Sequence, residues 1–372
     1  MKAYLIVFCF AILFIILSEK SFRKDKKNKG FFYIILSLFA VCFVAGVRNL
    51  DVGIDIKYYL QRIFFLFSME SKNILSVYKE TGVEIGFVTY IGIVSLTKNI
   101  NFVFFMVEFL VAAPIYYIAY KKRKESSMIL TIIIFLLTIY CRSLNIMRQS
   151  IACSLVMLSL YFFEQGKNNK AFVWCLIATL FHSSAIIGTV VLFISYICRK
   201  QKKIRINVII GIVTLIILLL PIFSTVLKYI PKYSRYLNTM YLTSSMNLMS
   251  ILKKLVWIIF GYLYLCLYKN KEEEKYARNL SYVTFLVVDL ILYGLTFKIA
   301  SAGRIGLYFL YTAYIMFLPN IKDIFKNKMF ANMMVIIILT VFWYNMTIIN
   351  YESDGIYPYK SDIFQFLNEG DK

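Results

Sequence analysis

Long apolar runs alternate with short polar stretches along the whole chain of 372 residues. A helix needs about 20 apolar residues to cross the hydrocarbon of a bilayer, and most of these runs approach that length. The pattern therefore predicts an all-α fold, a polytopic integral membrane helical bundle with roughly 10 to 12 membrane segments. The runs lie near residues 3–17, 31–47, 84–97, 101–120, 127–141, 145–163, 171–198, 206–227, 251–268, 280–297, 303–319 and 331–349.

Two of the apolar runs do not fit simple crossings. Residues 84–97 are too few for one span, and residues 171–198 are too many for one span and too few for two. We expect the first run to enter and return on the outer side, and the second to break near His182 into two short arms. Irregular backbone at membrane depth is tolerated only beside protein or a water-filled cavity, so the sequence HSSA at His182–Ala185 predicts a polar cavity.

The formal net charge of +22 follows from topology. Lysines and arginines are concentrated in short loops between apolar runs, as is typical of the cytoplasmic side of a membrane protein, so no nucleic-acid partner is predicted. The loops assigned to that side are Lys20–Lys29, Lys121–Lys124, Lys167 with Lys170, and Arg199–Arg205. We expect a single multi-pass domain, residues 1–372, with an outer loop at 48–84 and an outer basic loop at 228–250.

Neither a metal nor a cofactor is predicted. The seven cysteines form no CxxC pair, and the chain has one histidine, so no ligand set has zinc-site spacing. No glycine-rich phosphate loop or serine elbow is present either.

The outer loop carries the first candidate residues. Asp51 and Asp55 are four residues apart, so a helical backbone would put both carboxylates on one face, although the alternation of apolar and polar residues equally allows an extended start. Glu84 precedes a short apolar segment, where an acid suits the positive end of a helix dipole or contacts a substrate. Arg48 begins this loop, and Tyr58 could stack on a sugar. The competing interpretation is a solvated interfacial loop with weak ion pairs.

Arginines bracket the turn between two later membrane segments. Arg142 and Arg148 lie on either side of it, with Gln149 one residue deeper. A guanidinium beside the free N–H groups of a helix start suits phosphate, whereas snorkelling to lipid headgroups is the structural alternative. Because Ser150 and Ser154 follow Arg148, we expect that face of the helix to line a cavity.

Further ionisable residues lie inside or next to apolar runs. His182 is either a satisfied core histidine or part of a functional cavity, and ionisable groups at membrane depth favour the second interpretation. Arg304 stands at the outer end of a helix, and Asp289 lies within an apolar run, with Lys298 or Arg304 as its expected partner. These groups converge on one side of the membrane, which predicts a site for an anionic lipid-linked substrate.

These same residues carry a resemblance to a known family. In order and spacing, five motifs resemble those of the EpsG-family, Wzy-like polymerases of O-antigen, capsule or exopolysaccharide, from about Arg48 to Phe309. The motifs are RNLDVGIDIKYY from Arg48, EIGF from Glu84, RQSIACSL from Arg148, LFHSSAI around His182 and GRIGLYF around Arg304.

The resemblance implies a GT-C-like, metal-independent membrane glycosyltransferase of a bacterial cytoplasmic membrane. Such an enzyme polymerises oligosaccharide repeat units carried on undecaprenyl diphosphate, on the outer face. The expected partners are this lipid-linked oligosaccharide, membrane lipids, and chain-length regulator and flippase proteins.

The resemblance and the chemistry together assign roles to the candidates. Arginines would hold the donor diphosphate and neutralise its growing charge, and His182 or a carboxylate would accept the proton of the attacking hydroxyl. The expected catalytic residues are His182, Arg148, Asp55 and Glu84. The expected diphosphate- or sugar-binding residues are Arg48, Asp51, Arg142, Gln149, Arg304 and Tyr58.

Other functions share some of these features. A flippase for lipid-linked oligosaccharide would also need an arginine-lined cavity, but transporters usually have paired halves, and no internal symmetry is evident in the sequence. A membrane acyltransferase is a further alternative. A glycan ligase would differ from a polymerase only in its acceptor.

Overall fold

The computed structural model describes residues 1–200, 248–268, 273–297, 302–349 and 354–367. Over these residues the backbone is helical and contains no strand, as the sequence predicts. Contacts divide the chain into two compact units. One comprises Met1–Ile186 with Asn332–Lys372, and the other comprises Ile187–Ala331.

The helices follow the predicted apolar runs. Residues 1–200 form α1 (Lys2–Arg23), α2 (Lys27–Gly46), α3 (Gln61–Ser68), α4 (Ile74–Thr81), α5 (Ile85–Ser95), α6 (Ile100–Lys121), α7 (Met128–Phe135), α8 (Cys141–Ser143), α9 (Met147–Glu164), α10 (Asn168–Phe181) and α11 (Ile187–Lys200). Residues 248–349 form α12 (Leu248–Tyr268), α13 (Glu273–Gly294), α14 (Ala302–Phe317) and α15 (Lys328–Tyr344). Turns of π-helix occupy Ile56–Leu60, Leu136–Tyr140 and Asn345–Ile349.

Several of these helices can cross a membrane. Within the described residues, 5 helices are long and apolar enough: Lys2–Arg23, Lys27–Gly46, Ile100–Lys121, Leu248–Tyr268 and Lys328–Ile349. Shorter apolar helices cover Ile85–Ser95, Met128–Ser143 and Ser183–Arg199. The chain is thus a multi-pass membrane protein, and the number of 10 to 12 segments stays a prediction.

Helix α9 forms the centre of the first unit. It packs against α6 and α10, and along its length only Arg148 and Phe163 remain partly accessible. Ser150 and Ser154 are buried in this packed interior, so the expectation that they line a cavity is wrong. Small side chains let neighbouring membrane helices approach closely, which explains their place on the central helix.

Neither apolar run of unusual length forms one long helix. The first contains only the 11 residues of α5, too few for a crossing, and its return to the outer side stays a prediction. The second is broken, as predicted. In the second, α10 ends at Phe181, His182 is extended (φ −154°, ψ 122°), and a 3₁₀ turn covers Ser183–Ile186 before α11. Histidine and serine side chains can bond to nearby backbone and so compete with the helix, and here the N–H of Ser184 donates to the His182 ring.

Basic turns gather at one end of the first unit. The Arg123 guanidinium, just after α6, lies 5.1 Å from the ring centre of Phe22 in the last turn of α1. Lys122 Nζ is 3.8 Å from a carboxylate oxygen of Glu164, where α9 ends. The basic turns that follow α1, α6 and α9 therefore share one end, as the assignment of these loops to one side requires.

The opposite end of the first unit, where α2 ends and α9 begins, is called the site end below. A C-terminal segment, residues 354–367, closes it. The Tyr359 hydroxyl donates to the carbonyl of Val44 at 2.7 Å, and the Ser361 hydroxyl donates to that of Val47 at 2.5 Å. This segment therefore fixes the start of the predicted outer loop.

A buried ion pair organises the second unit. Asp289 on α13 bonds to Lys254 on α12, and both side chains are buried. Lys254 was not among the partners expected for Asp289. Of those two, Lys298 lies outside the described residues, and Arg304 is exposed, so a contact of either with Asp289 stays a prediction. A Cβ atom on Gly306 would lie 2.5 Å from Asp289 Oδ1, so this glycine provides the space that the carboxylate occupies against α14.

Candidate functional site

Three distant segments of the first unit meet at one carboxylate. Arg148, in the first turn of α9, donates from Nη1 to Glu84 Oε2 at 2.5 Å. The backbone N–H and the hydroxyl of Ser183 both donate to Glu84 Oε1, each at 3.2 Å. The structure thus brings together the predicted residues Glu84 and Arg148 with the residue that follows His182.

A glycine explains how Glu84 reaches this position. Glu84 is the residue before α5, so its side chain stands at the helix start. Two residues later, a Cβ atom on Gly86 would lie 2.7 Å from the carbonyl oxygen of Leu180, in the last turn of α10. Only glycine allows α5 to approach that closely, and the close approach places Glu84 beside Ser183.

The cluster is a shielded and charged pair. The side chains of Glu84 and Arg148 are 10% and 17% exposed. Burial disfavours the charged carboxyl of Glu84, yet the Arg148 guanidinium, the His182 ring and backbone N–H groups outweigh it and hold its pKa at about 2. Glu84 is therefore a carboxylate at any physiological pH, and the ring of Tyr59 lies 4.1 Å from the Arg148 guanidinium on another side.

The hydrogen bonds of His182 indicate which tautomer its neutral ring adopts. The backbone N–H of Ser184 donates to His182 Nδ1 at 3.3 Å, and the Ser184 hydroxyl lies 2.7 Å from the same atom. A backbone N–H can only donate, so Nδ1 is an acceptor and the neutral ring carries its proton on Nε2. His182 is half-buried and is positioned by the turn that it begins.

A cleft lies next to the Arg148–Glu84 pair. Its volume is about 240 Å³, and it is lined by Asp55, Tyr58, Tyr59, Arg62, Thr81 and Val83. Tyr59 is shared with the cluster because its ring also packs against Arg148. Tyr58 is 70% exposed, so its aromatic face is available to a ligand.

A polar chain positions Asp55 in that cleft. Asn145 Oδ1 accepts from the backbone N–H of Asp55 at 2.9 Å, and Asn145 Nδ2 donates to Asp354 Oδ1 at 3.1 Å. The other oxygen of Asp354 lies 3.9 Å from Nε of Arg142. The structure therefore links Arg142 and Asp55 through two residues, Asn145 and Asp354, to which the sequence analysis gave no role.

Asp51 does not share a helical face with Asp55. Between them Gly53 has φ +111°, a conformation that glycine adopts without the steric cost of a Cβ atom. A Cβ on Gly53 would also lie 2.8 Å from the carbonyl oxygen of Leu144. This turn leaves Asp51 exposed before the helical backbone starts, and its role in binding stays a prediction.

Arg48 and Gln149 are closed off from solvent. Arg48 is 2% exposed and Gln149 is 4% exposed. The Arg48 guanidinium lies 4.7 Å from the ring centre of Phe104, and its Nη2 donates to Met147 Sδ at 3.5 Å. Within the described residues its Nε and Nη1 have no hydrogen-bond partner. The predicted contacts of Arg48 and Gln149 with a substrate stay predictions.

The acid near Arg48 was not among the candidates from the sequence. Glu108 on α6 is 2% exposed, its two carboxyl oxygens lie 3.1 and 2.9 Å from the Ser143 hydroxyl oxygen, and it interacts electrostatically with Arg48. The signal was available, because an acid within an apolar span is costly and tends to have a specific role. Arg48 contacts Met147 and Glu108 contacts Ser143, so two buried side chains hold the two ends of the turn that leads into Arg148.

Two remaining predictions fall elsewhere. Arg304 belongs to the second unit and is exposed in the first turn of α14. Most of the predicted outer basic loop, residues 228–247, lies outside the described residues. The roles of Arg304 and of this basic loop in the site stay predictions.

The EpsG family profile matches residues 31–361. No curated protein and no solved structure shows significant similarity to the chain. The matched range contains the Glu84–Arg148 pair, His182, the cleft and the helix start at Arg304. Since the match covers most of the chain and the motifs that build this site, the protein belongs to the EpsG family, which is associated with glycosyltransferase-like polymerase activity in polysaccharide biosynthesis.

Proposed function

We propose that the protein polymerises oligosaccharide repeat units carried on undecaprenyl diphosphate into a surface polysaccharide, on the outer face of a bacterial cytoplasmic membrane. The observation that carries the proposal is the Arg148–Glu84–Ser183 cluster, because it holds a guanidinium beside a cleft that contains a carboxylate and an exposed tyrosine. A guanidinium suits the diphosphate, and a carboxylate with an aromatic ring suits the sugar.

Arg148 suits the donor diphosphate. A guanidinium carries five N–H donors in a fixed plane, and the pair with Glu84 uses one at Nη1. The contact with the Tyr59 ring and the bond to Glu84 hold the guanidinium in place, so the other donors can meet phosphate oxygens without reorganisation. Such preorganised donors typically contribute about 10²–10³ in rate when charge develops on the leaving group.

The proposed reaction is a glycosyl transfer. A hydroxyl oxygen of the acceptor sugar attacks the anomeric carbon of the donor, and the bond between that carbon and the phosphate oxygen breaks. The electron pair of that bond leaves with the undecaprenyl diphosphate, and the proton of the hydroxyl passes to a base of the protein. No redox partner is required, and the metal-independence expected from the resemblance is part of the proposal.

Two variants test the proposal in the native host. Arg148→Gln removes the charge that holds the diphosphate, and His182→Ala removes the ring beside it. We expect both to leave single-repeat material instead of long-chain polymer when the surface glycan is separated on a gel, at normal protein levels. Arg23→Gln is the matched control, because that arginine is 74% exposed and pairs only with Glu19 in the described residues.

The outcomes separate the competing functions. Long-chain polymer in both variants would refute the proposal. In a strain that lacks the protein, repeat units that accumulate on the cytoplasmic side would indicate a flippase instead. Unpolymerised units on the outside support a polymerase, and loss only of attachment to a final acceptor would indicate a ligase.

A further inference from the structure

Three groups near the cleft could accept the proton of the attacking hydroxyl. Glu84 is poorly suited, because its two oxygens already accept hydrogen bonds from Arg148 and Ser183. Its pKa of about 2 also makes it a weak proton acceptor, whereas general bases work best with a pKa near the operating pH.

His182 is arranged as a hydrogen-bond donor. Its Nδ1 already accepts from the backbone N–H of Ser184, so in the neutral ring Nε2 carries the proton and has no lone pair to offer. A ring in this form can donate from Nε2 to a phosphate oxygen. This geometry suits the diphosphate side of the site and does not suit deprotonation of a sugar.

Asp55 is the acid that lies in the cleft itself. It lines the cleft together with Tyr58, Arg62 and Thr81, and the bond from its N–H to Asn145 fixes the backbone there. Two helices supply the polar walls: Arg62 lies on α3 and Thr81 ends α4. An ion pair between Arg62 and Glu80, at 3.3 Å, holds these helices together.

The size and lining of the cleft fit one sugar ring. Its volume of about 240 Å³ lies below the range of about 300–1,000 Å³ that is typical of sites for drug-sized ligands. An exposed tyrosine offers an apolar face and a polar hydroxyl in one side chain, which matches the mixed surface of a pyranose.

We propose that this cleft binds the terminal sugar of the acceptor chain and that the Asp55 carboxylate is the general base. The inference rests on the proposed function. The acceptor hydroxyl gives its proton to Asp55 as its oxygen bonds to the donor's anomeric carbon, and Asp55 later releases that proton to solvent. Arg148, whose guanidinium lies 4.1 Å from the Tyr59 ring centre, and His182 then serve the departing diphosphate.

The test uses purified full-length protein in detergent. The donor is the host's repeat unit on undecaprenyl diphosphate, and the acceptor is the same labelled oligosaccharide on an octyl aglycone without diphosphate. Asp55→Asn should lower kcat by a factor of about 10²–10⁴, with little change in the KM for the donor or for the acceptor. Asp55→Glu should recover part of the lost kcat. Equal thermal unfolding of Asp55→Asn and the wild type separates catalysis from folding.

Tyr58→Ala tests the acceptor side independently. Tyr58 is mostly exposed, so its removal should leave the fold intact while it raises the acceptor KM about tenfold, which corresponds to about 1.4 kcal/mol, with the donor KM unchanged. Tyr78→Ala is the matched control, because this exposed tyrosine on α4 does not line the cleft and should show wild-type values.

The outcomes distinguish this inference from the proposed function. If the wild type transfers sugar but Asp55→Asn keeps a kcat within threefold of it, Asp55 is not the base. An unchanged acceptor KM in Tyr58→Ala would overturn the assignment of the cleft. A wild-type protein that transfers nothing, when the host cells make polymer only in its presence, would overturn the proposed function as well.

Discussion

At the scale of single residues, similar sequence positions have opposite surroundings. Arg48 and Arg148 both stand next to the end of an apolar helix, and both were expected to meet the diphosphate. Arg48 is 2% exposed, contacts Phe104 and Met147 and interacts electrostatically with Glu108, whereas Arg148 reaches Glu84 beside the cleft. We infer that Arg48 positions the turn before Arg148.

The charge of Glu84 makes the stability of the folded protein depend on pH. Its folded pKa of about 2 is below the ordinary 4.5, so its stabilisation is full above pH 4.5 and is lost as the pH falls from there toward 2. Glu84→Gln should remove this part of the acid dependence and destabilise the protein at neutral pH by about 3 kcal/mol, as breaking a buried pair does. Unfolding in detergent at several pH values measures both.

The control for this variant is Glu70→Gln. The Glu70 side chain is 41% exposed and pairs with Lys72 at 2.7 Å, so its loss should change the free energy of unfolding by less than about 1 kcal/mol. An acid dependence that is the same in Glu84→Gln and the wild type would contradict the assigned charge.

The contributions of Arg48 and Glu108 to stability should be coupled, because the two buried side chains interact electrostatically. Glu108→Gln and Arg48→Met should each destabilise the protein by about 1–3 kcal/mol, because each leaves a buried polar group with fewer partners. The double variant should be more stable than the sum of the single changes implies, because neither group then remains without the other. A double-mutant cycle of unfolding free energies checks this, and strict additivity would exclude the coupling.

At the scale of elements, the two irregular runs build the site. The short helix α5 presents Glu84 at its start, and the break after α10 presents His182 and Ser183. The lengths of the apolar runs predicted that the first would not cross in one span and that the second would break near His182. The contact between them was not predictable, because it depends on the packing of Gly86 against Leu180, 94 residues later in the chain.

Gly86→Ala should separate these two elements. The added methyl would overlap with the carbonyl oxygen of Leu180, so α5 must move and Glu84 loses its place beside Ser183. We expect a loss of about 1–3 kcal/mol in stability and at least a tenfold loss of polymer formation. Gly294→Ala is the control, since a methyl there meets no atom within 4 Å; equal activity of both variants would contradict the role of this contact.

At the scale of the whole molecule, the first unit has two chemically different ends. The basic turns after α1, α6 and α9 lie at one end, and the cluster around Glu84 and the cleft lie at the site end. The bias of lysine and arginine toward the cytoplasm then predicts that the site end faces outward.

Cysteine labelling tests this orientation. Asp51 at the site end and Gln165 at the basic end are both exposed. In a background with the two exposed cysteines, Cys9 and Cys266, changed to serine, Asp51→Cys should react with a membrane-impermeant reagent on intact cells. Gln165→Cys should react only after the cells are opened, and the reverse pattern would overturn the outward-facing site.

The amino-acid sequence by itself determined the class of protein, the irregular runs and the shared side of the basic turns. The physical reason is that bilayer thickness and the cost of buried charge act on local composition and run length. The resemblance of its motifs identified the family, which the match over residues 31–361 confirmed.

Only the tertiary structure decided which charged residues meet. Asp354 reaches Asn145 across 209 positions in the chain, Lys254 pairs with Asp289, and Glu108 stabilises a turn on another helix. Helices of similar composition can pack in many rotations, and the choice among them depends on close-packed side chains and on satisfying each buried polar group. Those conditions join residues that are far apart in sequence, so no local pattern contains them.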